Sequence, residues 1–302
     1  MAEKADKSRS KPDAPESLAD VIGQALRAGH ERLVTAMESV PQSEPDSVHQ
    51  VRVAARGLRS DLRVFRDLLD PAWVGHLRDE LSWLASACGP ARDLEVVLEW
   101  LDDVPADVGM PLEAPDVAQV RGAIAAKQQA AEAVARAATE SERASSLVAY
   151  LAAGAEDPPV TGEAARPARD VLEPLIRKAW RRYAKPARGL VVDVDPAVPE
   201  SLDAAWHEVR VRAKRARYAA HSAAGVLSSG GVEEAAKAAQ THLGEHQDRV
   251  VAATVLAEVG AEADAPTVAF AAGRLAEMAR QELPAIRASM KRPKKRPPGL
   301  SR

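Results

Sequence analysis

Two segments of the chain place a histidine ahead of three cations at the same spacing: His49, Arg52, Arg56, Arg59 and His207, Arg210, Lys214, Arg217. Steps of three and four residues follow the period of a helix and not that of a strand, so each segment predicts a helix with one cationic stripe. In the first copy Arg63 extends the stripe, and Val51, Ala54, Leu58, Leu62 and Phe65 gather on the opposite side as a core face. In the second, His221 continues the stripe while Val209, Ala213, Ala216 and Ala220 lie elsewhere. A solvated stripe is the common alternative for a single amphipathic helix. Such helices usually mix signs through pairs four residues apart, worth about 0.2–0.5 kcal/mol each. No carboxylate occurs between His49 and Arg59, and that omission predicts an anionic partner.

The correspondence continues downstream, since His49 precedes Asp93 by 44 residues and His207 precedes Asp248 by 41. Helical periodicity and turn residues predict helices over about 18–38, 47–69, 73–87, 91–101 and 116–153, then 170–187, one containing His207, 232–259 and 267–290. The order in the two halves implies an internal duplication, with half one at about 17–153, half two at about 168–290 and a Gly- and Pro-containing linker at 154–167. Each half would contribute about four helices. The expected architecture is all-α: two pseudo-symmetric bundles with both stripes turned toward a shared basic groove. Residues 1–16 and 291–302, the latter with six cations and no acid, read as disordered tails.

Composition narrows the function. Hydrophobic residues make up 46% of the 302 and aromatics only 3%, which favours closely packed Ala- and Leu-rich helices over sheets. The net charge of -3 excludes a protein that coats nucleic acid through bulk charge, so any positive patch is local. Acids collect at 95–107 and 258–264 instead. Cys88 is the single cysteine, which rules out an intramolecular disulfide and a thiolate zinc cluster. No apolar run reaches the roughly 18–20 residues of a membrane span, and the first residues lack the apolar stretch of a secretory signal. These features predict a cytoplasmic protein that does not engage a membrane.

The paired His-led stripes, together with the LG-x-x-x-D element at Leu243, Gly244 and Asp248, resemble the CHAD domain, the conserved histidine α-helical domain, over nearly all of 17–290. The resemblance implies a basic channel between two helical bundles that binds inorganic polyphosphate, with targeting of some members to polyphosphate granules and their associated proteins. Carried over by position, it marks His49, Arg52, Arg56 and Arg59 in the first motif, with Arg63 added as a candidate by its place on the same stripe, and His207, Arg210, Lys214, Arg217 and Tyr218 in the second. Gly57 stands where the family usually has another basic residue, and Gly89-Pro-Ala-Arg92-Asp93 lacks the Leu before its glycine. Arg27 and Arg32, with Lys178, Arg181, Arg182 and Lys185, are additional candidates to extend the groove. Arg212 and Arg215 fall off the stripe and are expected at its periphery. No Glu-x-Glu-x-Lys strand of the CYTH domain precedes the motifs, so a stand-alone binding domain is expected.

Guanidinium groups suit such a ligand because their planar donors match phosphate oxygens and stay charged. No catalytic residue, metal or cofactor is expected: there is no phosphate-cradling loop and no carboxylate cluster, and three cations beside each histidine would repel a divalent ion. A nucleic-acid or other polyanion-binding module is the leading alternative, disfavoured by the scarcity of aromatics for base stacking near the stripes. A phosphate-processing enzyme and a purely structural helical adaptor are the remaining readings.

Overall fold

The computed structural model describes residues 17–42, 46–104, 114–190 and 199–300. Among the described residues ten α-helices follow one another: α1 (Leu18–Ser39), α2 (Ser47–Val64), α3 (Pro71–Ala87), α4 (Gly89–Asp103), α5 (Ala114–Thr139), α6 (Glu142–Glu156), α7 (Ala168–Leu190), α8 (Pro199–Ser222), α9 (Gly230–Glu262) and α10 (Pro266–Ser289). A 3-10 turn occupies Gly162–Ala165. The described residues form no strand, only an isolated bridge between Leu69 and Val160. The expected disorder of 1–16 lies outside the described residues.

Local chemistry sets the helix ends. Ser17 accepts from the Asp20 amide at 3.2 Å while Asp20 accepts from the Ser17 amide at 3.1 Å, a reciprocal cap that starts α1. Asp70 accepts from the Trp73 amide at 2.8 Å and Pro71 occupies the first position of α3, where a missing N–H costs nothing. Ser141 caps α6 through the Ala144 amide at 3.2 Å. That cap splits the stretch expected as one helix over 116–153 into α5 and α6, so six helices precede residue 157 and four follow. The first motif helix stops at Val64 rather than Leu69, because Leu68 and Asp70 bond across the chain to Thr161 at 2.9 Å and Pro159 at 2.8 Å. The supposed linker is therefore partly a structural clasp. Gly154 belongs to α6, not the linker, and a Cβ there would lie 2.2 Å from the Trp73 ring.

The apolar cores do not divide at the boundary between halves. One cluster unites α1, α2, α3 and α6 with α7, α8 and the first turns of α9, around Leu26, Leu58, Leu77, Trp180 and Trp206. A second joins α4 and α5 to the later turns of α9 and to α10, around Val97, Ile124, Leu256 and Leu275. Helices from both halves enter each cluster, because the long α9 serves both. Close approach at one place is set by size: a Cβ on Gly29 of α1 would sit 2.3 Å from Leu58 of α2. No described helix is long and apolar enough to cross a membrane.

The C-terminal stretch departs from expectation. Residues 291–300, read as a disordered tail, lie against α7 and α9: the Trp180 indole N–H donates to the Lys294 carbonyl at 3.0 Å, Met290 is buried and Leu300 packs against the first core. Trp180 is a buried indole that needs an acceptor, and the tail supplies it. Charge composition predicted disorder; the flanking apolar anchors override it. Residues 301 and 302 lie outside the described residues.

Candidate functional site

The two motif helices meet. Gly57 of α2 faces the ring of Tyr218 on α8, to which an added Cβ would come within 3.8 Å, and one helical turn later the Ser222 hydroxyl donates to Asp61 at 2.9 Å. The same sequence offset in both pairs means that α2 and α8 run side by side in one direction. Gly57, where the resemblance leads one to expect a cation, lies at this contact, and an added Cβ would meet the Tyr218 ring at ordinary van der Waals distance.

This register brings Arg52 and Arg56 of α2 together with Arg210 and Lys214 of α8. Burial and then the neighbouring charges of Arg52 and Arg210 push the Arg56 guanidinium down to about 10. Lys214 is pushed down to about 6, first by burial and then by Arg210, Arg56 and Arg52. Arg210 is likewise lowered, chiefly by burial. Such mutual depression is the signature of like charges held together out of water. Two carboxylates border the cluster. Asp93, near the start of α4, pairs with Arg52 at 3.3 Å. Asp248, on α9, lies beside Arg210 and Lys214, and burial raises its pKa despite those cations. Among the described residues no carboxylate is within ion-pair distance of Arg56, Arg210 or Lys214, and the Arg210 Nε is buried without a hydrogen-bond partner.

The lower part of the first stripe goes elsewhere. Arg59 and Arg63 stand beside Arg78 of α3, and Arg63 also beside Arg215 of α8; all of Arg59, Arg63 and Arg215 have pKa values lowered mainly by burial and then by these neighbours. Arg212 and Arg182 of α7 act on Arg215 in turn, and Arg212 donates to the Arg182 carbonyl at 3.2 Å while pairing with Glu208 at 2.5 Å. Arg215 is exposed and belongs to a second cationic group that adjoins the first through Arg56 and Arg59, Arg212 is paired with Glu208, and neither is among the charges acting on Arg56, Arg210 or Lys214, so both lie at the edge of the first cluster. Arg78 was not singled out in the sequence: it lies in α3 followed by Asp79 and Glu80, which reads as a solvated charge cluster. Its Nε and that of Arg59 are buried and unpartnered.

Other candidates are dispersed. Arg217 donates to Gln240 of α9 at 3.2 Å and stands over the Tyr218 ring. Tyr218 lies at the α2–α8 contact, its pKa raised first by burial, with Arg217, Asp61, Arg56 and Arg32 around it. His207 bonds through Nδ1 to the Gln247 amide oxygen at 2.7 Å. The pKa of His49 is lowered, first by burial and then by Arg92, and its Nδ1 is buried without a partner. Arg32 lines a cleft with Asp61 and His221 beside the seam. Arg27 does not line the groove: it donates to the Ala155 carbonyl at 2.9 Å and ties α1 to the end of α6. Lys178, Arg181 and Lys185 are exposed on α7, and nothing brings them to the seam. No group of His, Cys, Asp or Glu among the described residues has the geometry to hold a metal.

Fold and site together define an all-helical protein with a cationic seam between two parallel helices. A family model for the CHAD domain matches residues 24–257, and the chain belongs to that family. It is 31% identical over 261 residues to the uncharacterized proteins MT2285 and Rv2226 from two Mycobacterium tuberculosis strains. The match takes in 80% of this chain and 45% of each relative, so the chain spans about half the length of the curated relatives it matches. Among solved structures, PptA from Streptomyces chartreusis superposes with a TM-score of 0.70 at 24% identity, covering 90% of this chain and 97% of that one. The CHAD domain from the plant Ricinus communis also gives 0.70, at 25% identity, covering 93% and 95%.

Proposed function

We propose that the chain binds inorganic polyphosphate in the seam between α2 and α8, without chemical transformation of the ligand. The observation that carries this reading is the cluster of Arg52, Arg56, Arg210 and Lys214, in which Arg56, Arg210 and Lys214 have no ion pair among the described residues. Like charges gathered from two helices and half-desolvated destabilise the fold unless something negative meets them. A linear phosphate polymer offers closely spaced charge with no base or sugar to be read, which suits a seam made of guanidinium forks and one ammonium. Membership in the CHAD family supports the same ligand. Arg59, Arg63, Arg78 and Arg215 provide a continuation along which a longer chain would run.

The reading without catalysis is supported by the site's chemistry. Its carboxylates, Asp93 and Asp248, sit among arginines, an arrangement that opposes assembly of a divalent-metal centre for phosphoryl transfer. Localisation at polyphosphate granules would follow from the binding itself.

Calorimetric titration with long-chain polyphosphate at two salt concentrations, beside a variant carrying Arg52→Ala, Arg56→Ala, Arg210→Ala and Lys214→Ala, tests the proposal. Tight binding that weakens steeply with salt and disappears in the folded variant is the expected result. Equal binding by the variant, or none by the wild type, would overturn it.

A further inference from the structure

The C-terminal stretch carries a second concentration of charge that the seam does not use. Lys291, Arg292, Lys294, Lys295 and Arg296 are all exposed, and none has a carboxylate within ion-pair distance among the described residues. They are not on a loose terminus. The Lys294 carbonyl is held by Trp180 at 3.0 Å, Met290 is buried behind the run, and Leu300 packs against the core ahead of it. Between these anchors the turn at Gly299, whose φ of 76° favours glycine, lays the chain on Gly231 of α9, where an added Cβ would be 3.1 Å from the Pro298 carbonyl. Pro293, Pro297 and Pro298 disfavour a helix across this stretch. The outcome is a short non-helical polycation, bent at Lys295 and Arg296 and held by contacts on both sides, in a protein whose net charge is -3.

Five exposed cations in six residues, held between anchors, concentrate positive charge that a polymer of closely spaced phosphates would neutralise. The contacts pinning the strip are to α7 and α9, and none of its cations is among the charges acting on Arg56, Arg210 or Lys214. It is a separate surface. We infer that the anchored strip 291–296 is a second contact for the polyphosphate chain held in the seam, engaged only by chains long enough to reach from one surface to the other. This inference rests on the polyphosphate reading of the seam. Two tethered contacts on one polymer raise apparent affinity through effective concentration with no new contact at either.

The experiment compares the wild type with a variant carrying Lys291→Gln, Arg292→Gln, Lys294→Gln, Lys295→Gln and Arg296→Gln, which keeps the backbone anchors. Each is titrated with polyphosphate of about ten and of about one hundred phosphates, since only the longer can act as a bridging ligand. The expected result is that the long chain loses about tenfold or more in affinity and its salt dependence becomes shallower, while the short chain changes by less than about twofold. Equal losses for both lengths, or no loss for either, would overturn the inference. So would a variant that loses only competition by a random oligonucleotide, which would mark the strip as a nucleic-acid surface. Titrating the seam variant alongside separates the two proposals: failure of the seam reading appears as undiminished short-chain binding there, whereas failure of the strip appears only in the tail variant. Trp180→Phe, which removes the indole donor while keeping an aromatic, is expected to free the strip to proteolysis and to give a smaller loss confined to long chains. Unchanged long-chain affinity with a freed strip would show that anchoring contributes nothing.

Discussion

The bundle of α4, α5, α9 and α10 and the seam between α2 and α8 treat their cations in opposite ways. In the bundle Arg121 meets Asp102 at 2.5 Å, Lys127 meets Glu262 at 2.7 Å, and Arg249 meets Glu282 at 2.5 Å, with Trp100 donating to the same Glu282 at 3.1 Å. In the seam Arg56, Arg210 and Lys214 face one another with no ion pair among the described residues. The two regions share one chain and overlapping helices. What differs is the availability of acid: Asp102 and Glu262, from acid-rich segments, pair with cations of the bundle, while Asp93 and Asp248 are the carboxylates near Arg210 and Lys214 among the described residues and Asp61, also in the seam, accepts from Ser222. Paired charge there is consistent with solubility and modest stability; unpaired charge is consistent with a surface kept for a ligand.

The largest effect separating these regions is on polyphosphate affinity. The variant Arg52→Ala, Arg56→Ala, Arg210→Ala, Lys214→Ala should lose on the order of a thousandfold, at roughly 1–1.5 kcal/mol for each charged contact. A matched bundle variant, Arg121→Ala, Lys127→Ala, Arg280→Ala, should stay within about twofold by the same calorimetry. Comparable losses from both would erase the contrast and leave a nonspecific charge effect.

Proton linkage gives the next largest effect. Because burial and its cationic neighbours depress Lys214 to about 6, the unbound amine is mostly neutral at pH 7.5, and a bound polyanion restores its proton. Affinity should therefore rise as pH falls from 8 toward 6, by up to about tenfold per pH unit for one proton taken up, and level off below 6. Titrations in buffers of different ionisation enthalpy would read the uptake directly. In the absence of ligand the sign is opposite for stability. A lysine with a depressed folded-state pKa destabilises the fold fully below about 6, and the penalty shrinks as pH rises toward its unfolded value. Asp61, raised to about 6 mainly by burial, has its penalty developed between 3.8 and 6, so above 6 it no longer changes. Ligand-free melting temperature should thus climb from pH 6 to 9.

Core geometry yields a smaller, purely structural change. Gly154→Ala forces a methyl into the Trp73 ring, an overpacking expected to cost about 1–3 kcal/mol, seen as a lower denaturation midpoint with unchanged polyphosphate affinity for the folded fraction. Smallest is Lys127→Ala: its exposed pair with Glu262 contributes less than about 1 kcal/mol, within reach only of careful denaturant titration.

Much of this was legible in the sequence. The all-helical class and the two motif helices with their cationic stripes follow from period and composition, and Arg52, Arg56, Arg210 and Lys214 of those stripes lie together. The rest depended on long-range register. Nothing local says that Gly57 will face Tyr218, so Arg215, one face away on the α8 wheel, could not be matched with Arg63 and Arg78. The cap at Ser141 was visible in principle, but the uninterrupted alanine pattern around it favoured one long helix. The anchored tail was missed because composition outweighed three apolar contacts, Trp180, Met290 and Leu300, that lie far apart in sequence.

If the seam's cations are retained for a ligand at the expense of the fold, removing one of them leaves the ligand-free protein no less stable. Thermal unfolding of Lys214→Met at pH 7, with and without polyphosphate, tests this, since methionine keeps the length and removes the buried amine, whose proton the fold disfavours. The account predicts a ligand-free variant at least as stable as the wild type, with a clearly reduced stabilisation by polyphosphate. A variant that is less stable without ligand yet gains as much from polyphosphate as the wild type would contradict it.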